Sequence, residues 1–470
     1  MEIILGIIIA VSIVGVFFNP FIGLYMLTVS LYIKPGIFSS VLAAARPSLI
    51  LGALTFLMVF MHKRKKGGIE FFKAVSSRWF LALGVVMCLS MFTSIWRGNT
   101  YGFMVNFFKV YIAYFLIINL VSSLNRYRAI VWAMVLSMLY IGVVSIREYY
   151  GSGAGMDGGR MFGAYRGALF GDPNDLALGF TMLIPFLYFD LFRGKSFVRK
   201  LIQLGAITLF LWAIVLTQSR GGFLALLVML FILWLKNKYK ARLAVIGIFV
   251  LALGWQIAPQ TFRDRMLTIE TAADEDNAAI SRLDAWEAGF NMMKGRLFGV
   301  GAGNFGEGFV RYRPADAIDV PGMRRVAHNM FMQIGGEAGF PGLIVFLLMI
   351  GSAFKTLNKV KKNVREYGSQ VEKKKSPEGG EPVNLNEVVL LADATFVSLA
   401  GYCASGMFLS QGYNFILYYL IAFSVVLECL SAGHFESLEK QKKESFKSDR
   451  RDMWKSRALS GKLKIKTQDT

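Results

Sequence analysis

The chain has 470 residues, of which 55% are hydrophobic, and a formal net charge of +21 from 52 lysines and arginines against 31 acidic residues. Runs with almost no polar residue, such as 244–255 and 343–352, exclude an ordinary soluble protein, and they lack the alternating pattern of a membrane β-barrel. The composition therefore predicts an all-α, polytopic helical integral membrane protein, because a spanning helix requires ~20 mainly apolar residues.

The excess of positive charge fits such a protein without nucleic acid as a partner. Lysine and arginine accumulate in the cytoplasmic loops of membrane proteins and contact anionic lipid headgroups. No basic module interleaved with aromatic residues is present, so no nucleic-acid binding is expected, and membrane lipids are the expected partners.

Apolar runs follow one another along the whole chain and predict about 12–13 transmembrane helices. The first run has no basic segment before it, so it is expected to be a retained helix and not a signal peptide. The first two runs meet at Asn19-Pro20 and form either two spans or one shallow hairpin. In chain order the runs are 3–18, 21–33, 48–61, 79–95, 102–121, 129–146, 175–192, 201–217, 222–235, 243–258, 329–353, 388–409 and 413–430.

Charge predicts which connections share a side of the membrane. The lysine-rich and arginine-rich segments fall on one side if the runs alternate, and the positive-inside rule places that side in the cytoplasm. These segments are 62–78, 193–200, 236–242, 355–381 and the residues after 431. The external connections are then 34–47, 147–174, 218–221 and a long loop, 259–327.

The same pattern predicts four regions in the chain. They are an N-terminal transmembrane bundle (1–258), a periplasmic loop with an amphipathic helix (259–328), C-terminal transmembrane helices (329–430) with a cytoplasmic loop (354–386), and a basic cytoplasmic tail (431–470).

Two short external segments carry polar residues directly before apolar runs. Asp172 and Asn174 flank Pro173, a pattern typical of a helix cap, and they are also candidates to line a polar mouth that binds substrate. Arg220 lies in the short break 217–222, followed by two glycines. A charge so close to the membrane is either functional or a side chain that extends to the lipid headgroups, and both interpretations stay open.

The long loop contains a predicted amphipathic helix at 277–295. Apolar residues recur there at helical spacing, and three carboxylates precede the helix, where acidic side chains are favourable. Arg282 and Trp286 are four residues apart, so they share one face. Arg282 is a candidate for phosphate binding, with a surface salt bridge or a lipid contact as the alternative. The apolar residues of this pattern are Ile280, Leu283, Phe290 and Met293.

His328 ends the long loop and is one of three histidines in the chain. The other two lie on the predicted cytoplasmic side, so His328 is the only imidazole expected outside. A lone histidine does not make a zinc site but can act as a general base, and nearby arginines would keep it neutral. The alternative is a hydrogen-bonded helix cap. Asn329, its neighbour, is a candidate for substrate binding.

Two further patterns are discounted, and neither a metal nor a cofactor is expected. Residues 301–306 fit GxGxxG but lack a βαβ context, so a turn is predicted and not a dinucleotide site. The acidic triplet 274–276 contains D-x-D, for which helix capping is the simpler explanation. The cysteines Cys88, Cys403 and Cys429 fall in apolar runs and are predicted to be small buried residues.

Taken together, these segments resemble the O-antigen ligase/polymerase family of bacterial envelope enzymes. The resemblance rests on the order and spacing of four segments in the second half of the chain. They are FGDPNDLAL at 170–178, TQSRGG at 217–222, SRLDAWEAGF followed by LFGVGAGNF within 281–305, and HNMFMQIGGEAGFPG at 328–342. The N-terminal half is weakly similar to the exosortase-associated putative O-glycosylation ligase subgroup.

The resemblance implies a GT-C-type glycosyltransferase, metal-independent and without a cofactor, in the bacterial inner membrane. Such an enzyme moves a glycan from undecaprenyl diphosphate to an acceptor at the periplasmic face, and the acceptor is lipid A-core, a protein or another glycan. By the same resemblance, Arg220, Arg282 and His328 are the catalytic residues. Two guanidinium groups suit a departing diphosphate, and His328 either takes the proton of the acceptor as the anomeric carbon inverts or hydrogen-bonds the diphosphate.

Three alternatives stay open from the sequence. A polymerase of O-antigen or exopolysaccharide shares the same segments, and a membrane scaffold without catalytic activity is a second alternative. A polysaccharide exporter or flippase belongs to another class, but transporters carry polar groups near the membrane midplane, whereas here they collect at one face.

Overall fold

The computed structural model describes residues 2–66, 74–152, 159–164, 169–193, 196–237, 239–267, 277–318, 322–371 and 385–432. Within these ranges the chain is helical and contains no strand, which confirms the predicted all-α class. The helices in chain order are α1 (Glu2–Phe18), α2 (Pro20–Tyr32), α3 (Ser40–Ala45), α4 (Pro47–Lys66), α5 (Val75–Thr93), α6 (Arg97–Leu120), α7 (Leu124–Gly151), α8 (Pro173–Thr181), α9 (Ile184–Asp190), α10 (Phe197–Thr217), α11 (Arg220–Lys236), α12 (Lys240–Ile257), α13 (Gln260–Leu267), α14 (Asn277–Gly295), α15 (Phe305–Tyr312), α16 (Met330–Val371), α17 (Leu385–Gly406) and α18 (Phe415–Ala432).

Nine helices in the described part of the chain are long and apolar enough to cross a membrane. The other apolar runs give shorter or interrupted helices. α1 and α2 pack on each other as a pair, α11 has 17 residues, and the run 175–192 is divided between α8 and α9. The polytopic architecture predicted from hydropathy is therefore confirmed, with some of its spans shorter than a full crossing.

α16 is the longest helix and organises the C-terminal half. It packs against α5, α14 and α17, and it is broken at Gly339, whose φ of 72° lies in the left-handed region, two residues before Pro341. The predicted helix of the long loop is present as α14, which lies along α16.

On α14, Met293 of the predicted apolar stripe is buried together with Ala285, Ala288 and Met292, whereas Leu283 and Phe290 are 50% and 40% exposed. The prediction that the cysteines are buried is wrong for Cys88 and Cys429, which are exposed. An apolar side chain that faces lipid needs no protein neighbour, so hydropathy alone does not separate lipid-facing from protein-facing positions.

Residues from several of the predicted same-side segments meet at the two ends of α11. At what we call the basic end, residues of α7, α11, α16 and α17, together with Arg193 after α9, form ion pairs. At the site end, the starts of α8, α11 and α16 meet the long loop. The basic end is defined by Arg128, Asp190, Arg193, Lys236, Lys359, Lys361, Glu387, Asp393 and Glu428.

Candidate functional site

The turn before α8 is the first component of the site end. Asp172 caps the helix, because its Oδ1 accepts hydrogen bonds from the backbone N–H of Asn174 at 2.8 Å and from the Asn174 Nδ2 at 2.9 Å. The predicted cap is confirmed. The Asn174 amide oxygen then accepts from two other segments, Ser219 Oγ at 2.6 Å and Arg160 Nη2 at 3.0 Å. Asn174 therefore joins three segments that are distant in the sequence.

The break between α10 and α11 is the second component. Gln218 ends α10 in the left-handed conformation, with a φ of 50°, and its side chain donates to the Gly159 carbonyl and the Thr261 hydroxyl. Ser219 caps α11 by accepting from the backbone N–H of Gly222 at 3.0 Å. Arg220 is therefore the first residue of α11, at the surface that meets the long loop.

The two glycines after Arg220 are required by close packing. A Cβ at Gly222 would lie 2.5 Å from the Ala177 Cβ on α8, and one at Gly221 would lie 2.9 Å from the Phe408 Cβ. The side chain of Arg220 points to the long loop, where its Nε donates to the backbone carbonyl of Arg265 at 3.0 Å. The close packing at the two glycines thus fixes the turn, and the turn places the Arg220 guanidinium beside the long loop.

Four guanidinium groups from four segments share this site end. Arg160 is half-buried, and burial together with the positive charges of Arg265, Arg282 and Arg220 lowers its pKa to about 10, while Asp172 opposes that shift. Arg160 remains protonated at neutral pH and is held by the Thr217 carbonyl and by Asn174. Sequence reasoning identified Arg220 and Arg282 but missed Arg160 and Arg265.

His328 lies beside the same arginines. Burial, followed by the charges of Arg282 and Arg325, lowers its pKa to about 4, and Asp172 again opposes the shift. The imidazole is therefore neutral at pH 7. Because Arg282 and Asp172 each act on both Arg160 and His328, these four side chains occupy one site.

The backbone around His328 is fixed from outside its own helix. His328 has a φ of 48°, and its N–H donates to the Ser410 hydroxyl at 2.8 Å. The cap of α16 is Asn329 and not His328, since the Asn329 Oδ1 accepts from the backbone N–H groups of Phe331 and Met332. The imidazole of His328 is thus not needed to cap the helix.

Trp286 lies one turn after Arg282 on α14, as predicted from the spacing. Its indole Nε1 is buried and has no hydrogen-bond partner among the residues that the structure describes. A buried N–H without a partner is uncommon in proteins, so this atom is a candidate donor to a bound molecule. A role of Trp286 in substrate binding stays a prediction.

The short connection between α17 and α18, residues 407–414, was not predicted as part of the site. Besides holding His328 through Ser410, it donates from Gln411 Nε2 to Asp175 Oδ1 at 2.6 Å and from the Gly412 N–H to Gln333 Oε1 at 3.1 Å. It therefore contacts the α8 turn and the start of α16 together. The sequence offers only a weak signal for it, a break of three polar or small residues between two apolar runs.

No group of three or more histidine, cysteine, aspartate or glutamate side chains is placed to hold a metal ion within the described ranges. The acidic triplet 274–276 lies outside those ranges. The chemistry available at the site end is therefore that of several permanent positive charges beside a neutral imidazole. Such a set suits an anionic group from which negative charge departs, next to a proton acceptor.

The comparison with protein families agrees with this chemistry. Residues 205–347 match the family model described as O-antigen ligase, and the match supports an O-antigen ligase family assignment. The matched range includes Arg220, Arg265, Arg282 and His328, whereas Arg160 and the turn before α8 precede it. A search of curated proteins gives no match.

Proposed function

We propose that this chain is a metal-independent, inverting glycosyltransferase of the GT-C type, a proposal supported by the match of residues 205–347 to the O-antigen ligase family model. It moves a glycan from undecaprenyl diphosphate to a hydroxyl group of an acceptor at the periplasmic face of the bacterial inner membrane. The acceptor is lipid A-core, a protein or another glycan.

The observation that carries this proposal is that the charges of Arg265, Arg282 and Arg220 all act on Arg160 at the site end, with Asp172 beside them. Like charges in a partly buried site repel one another, and an anion that binds among them relieves this repulsion. A diphosphate is such an anion, and guanidinium groups bind its oxygens in pairs and stay charged throughout the reaction. Arg160, Arg220, Arg265 and Arg282 would thus supply the charge that a divalent cation supplies in other transferases.

The reaction follows from the position of His328 beside these charges. The acceptor hydroxyl oxygen forms a bond to the anomeric carbon while the bond from that carbon to the diphosphate oxygen breaks. His328, neutral at pH 7, takes the proton of the hydroxyl, and undecaprenyl diphosphate leaves with one more negative charge, which the arginines stabilise. Attack from the side opposite to the leaving group inverts the configuration of the anomeric carbon.

The other predicted residues have supporting roles in this proposal. Asp172 and Asn174 hold Arg160 and Ser219 in place, and Asn329 fixes the start of α16 directly after His328. Trp286 contributes its indole N–H to the bound glycan.

The direct test is transfer by the purified protein, reconstituted in lipid, from a defined undecaprenyl-diphosphate glycan to an acceptor in the presence of a chelator. We expect an inverted product with the wild type and none with His328→Ala, while His62→Ala, on the predicted cytoplasmic side, retains transfer. Transfer by His328→Ala at the wild-type rate would remove His328 from the mechanism, and a strict requirement for a divalent cation would contradict metal independence.

Deletion in the native host separates ligation from polymerisation. If the protein is a ligase, its deletion should cause the finished lipid-linked polymer to accumulate, because the polymer is no longer transferred to its acceptor. Accumulation of single unpolymerised units would instead assign the polymerase alternative.

A further inference from the structure

Glu337 carries a carboxylate about two turns inside α16, and its surface is only 2% exposed. This part of α16 belongs to a candidate membrane span, Met330–Glu366. An acidic side chain at such a depth is costly unless hydrogen bonds or opposite charges compensate for its loss of water. The reaction proposed above makes no use of this group.

The compensation comes from the GxGxxG segment, 301–306. The Gly303 N–H donates to Glu337 Oε2 at 2.8 Å, and the Phe305 N–H donates to Glu337 Oε1 at 3.2 Å. Phe305 is the first residue of α15, so the carboxylate lies at the positive end of that helix. Backbone N–H groups of a glycine-rich turn bind anions in many proteins, and here the anion is a side chain of the same chain.

Beside this contact, the backbone before the GxGxxG segment and at its first residue is hydrogen-bonded to the backbone of α16. Pro341 has no N–H, so the Glu337 carbonyl lacks its usual partner four residues later, and the Gly301 N–H donates to it at 3.0 Å. The Val300 N–H donates in the same way to the Gly336 carbonyl at 2.9 Å. The break at Gly339 makes room for the loop, since a Cβ there would lie 1.9 Å from the Leu297 carbonyl oxygen.

The fixed part of α16 lies next to the two proposed catalytic residues His328 and Arg282. His328 is two residues before its start, and α14, which bears Arg282, packs on the same turns. The packing is close, because a Cβ at Gly335 would lie 2.4 Å from the Met293 sulfur and one at Gly336 would lie 3.0 Å from the Met292 sulfur. A shift of this part of α16 would therefore move His328 relative to Arg282.

We propose that Glu337 is a positioning residue: its carboxylate, bound by the backbone N–H groups of Gly303 and Phe305, fixes the start of α16 and thereby holds His328 beside Arg282. The kinetic consequence rests on the proposed function, whereas the placement of His328 does not. Glutamine is the most informative replacement, because it keeps the size of the side chain and turns an NH₂ group towards one of the two N–H donors.

The test follows the ring of His328 by NMR in histidine-labelled protein, in which the three histidines are assigned with His328→Ala. In Glu337→Gln we expect the titration midpoint of His328 to rise from the low wild-type value towards that of an ordinary histidine, because the imidazole moves away from Arg282. Glu428→Gln, which alters an ion pair with Lys359 at the basic end, is the matched control and leaves His328 unchanged. Glu337→Asp keeps the charge, and its His328 midpoint is expected between those of the wild type and Glu337→Gln. If Glu337→Gln does not fold, Glu337→Asp alone tests the proposal, and a wild-type midpoint in that variant would overturn it.

A second test measures the transfer kinetics of the same variants. Glu337→Gln is expected to lower kcat by about tenfold or more, with the KM for the donor nearly unchanged, since a displaced base affects the transition state and not donor binding. Wild-type titration of His328 together with wild-type kcat in Glu337→Gln would overturn the proposal. A wild-type protein that transfers no glycan would refute the proposed function, while the titration of His328 would still decide the role of Glu337.

Discussion

The basic end and the site end both concentrate charge, but they arrange it differently. At the basic end, cations meet carboxylates directly: Arg128 lies 2.8 Å from Glu387, and Asp393 lies 2.6 Å from Lys361 and 3.3 Å from Lys236. At the site end, Arg160 is held by a backbone carbonyl and an amide oxygen, and three further guanidinium groups act on it. Among the residues that the structure describes, Asp172 is the carboxylate that opposes them.

This difference separates two uses of charge in a membrane protein. Ion pairs that neutralise each other join helices, and removal of one partner leaves a buried charge behind. A group of positive charges creates a positive potential, which attracts anions to the site. The basic end is thus expected to determine stability and the site end to determine activity.

The largest effect is expected from Arg282→Gln. Removal of one donor to developing negative charge should lower transfer by about 100- to 1000-fold. The thermal midpoint of unfolding should fall less than in Arg128→Gln, because Arg128 is paired directly with the buried carboxylate of Glu387. Transfer rates and unfolding midpoints are compared with those of Arg128→Gln, which is expected to lose stability and keep its turnover per folded molecule. The opposite pattern would contradict the division between the two ends.

Asp393→Asn is expected to have the opposite profile. It leaves Lys236 and Lys361 beside a neutral amide, and we expect a loss of about 3 kcal/mol in the free energy of unfolding, because the aspartate is buried and two cations lose their partner. Unfolding in mixed micelles measures the loss, and the activity per folded molecule should not change. Glu428→Gln, in an exposed pair, should cost at most about 1 kcal/mol. A variant that is fully stable but inactive would refute the structural role of Asp393.

A smaller effect is expected on the pH dependence of transfer. The pKa of His328 is lowered to about 4, so the imidazole stays neutral, and active as a base, until the pH falls towards that value. Transfer should therefore persist at pH 5 to 6, where an ordinary histidine is already protonated. Arg325→Gln removes one of the charges that lower this pKa, so the acid limb of the pH–rate profile should move upwards, by less than about one pH unit. Arg311→Gln, on the exposed face of the same loop, should leave the profile unchanged, and an acid limb near pH 6.5 in the wild type would contradict the assignment.

The smallest effect compares two serine caps, one at each end. Ser219 caps α11 at the site end, and Ser196 caps α10 on the opposite side. Replacement of either by alanine should cost about 1 kcal/mol of stability. Only Ser219→Ala should also lower transfer, by about threefold to tenfold, because Ser219 donates to Asn174, which holds Arg160. Equal transfer by the two variants would show that this hydrogen bond does not affect the site.

The sequence was sufficient for the fold class and for the Asp172 cap, and it singled out Arg220, Arg282 and His328, whose catalytic roles stay predictions. Each of these carries a local signal, such as a charge in a short break or an imidazole at the end of a polar loop. Arg160 and Arg265 carry no such signal, because they resemble ordinary loop arginines until helix packing brings them beside Arg220. Glu337 was missed for the same reason, since its partner Gly303 lies 34 residues away in a different segment.

Binding of undecaprenyl diphosphate tests most directly whether the arginines of the site end hold a diphosphate. Its affinity is measured for the reconstituted wild type, Arg160→Gln and Arg128→Gln at two salt concentrations. We expect Arg160→Gln to bind about tenfold or more weakly and with a smaller dependence on salt, as a charged hydrogen bond is lost, and Arg128→Gln to bind like the wild type. Wild-type affinity in Arg160→Gln, or an equal loss in both variants, would contradict the division of charge between the two ends.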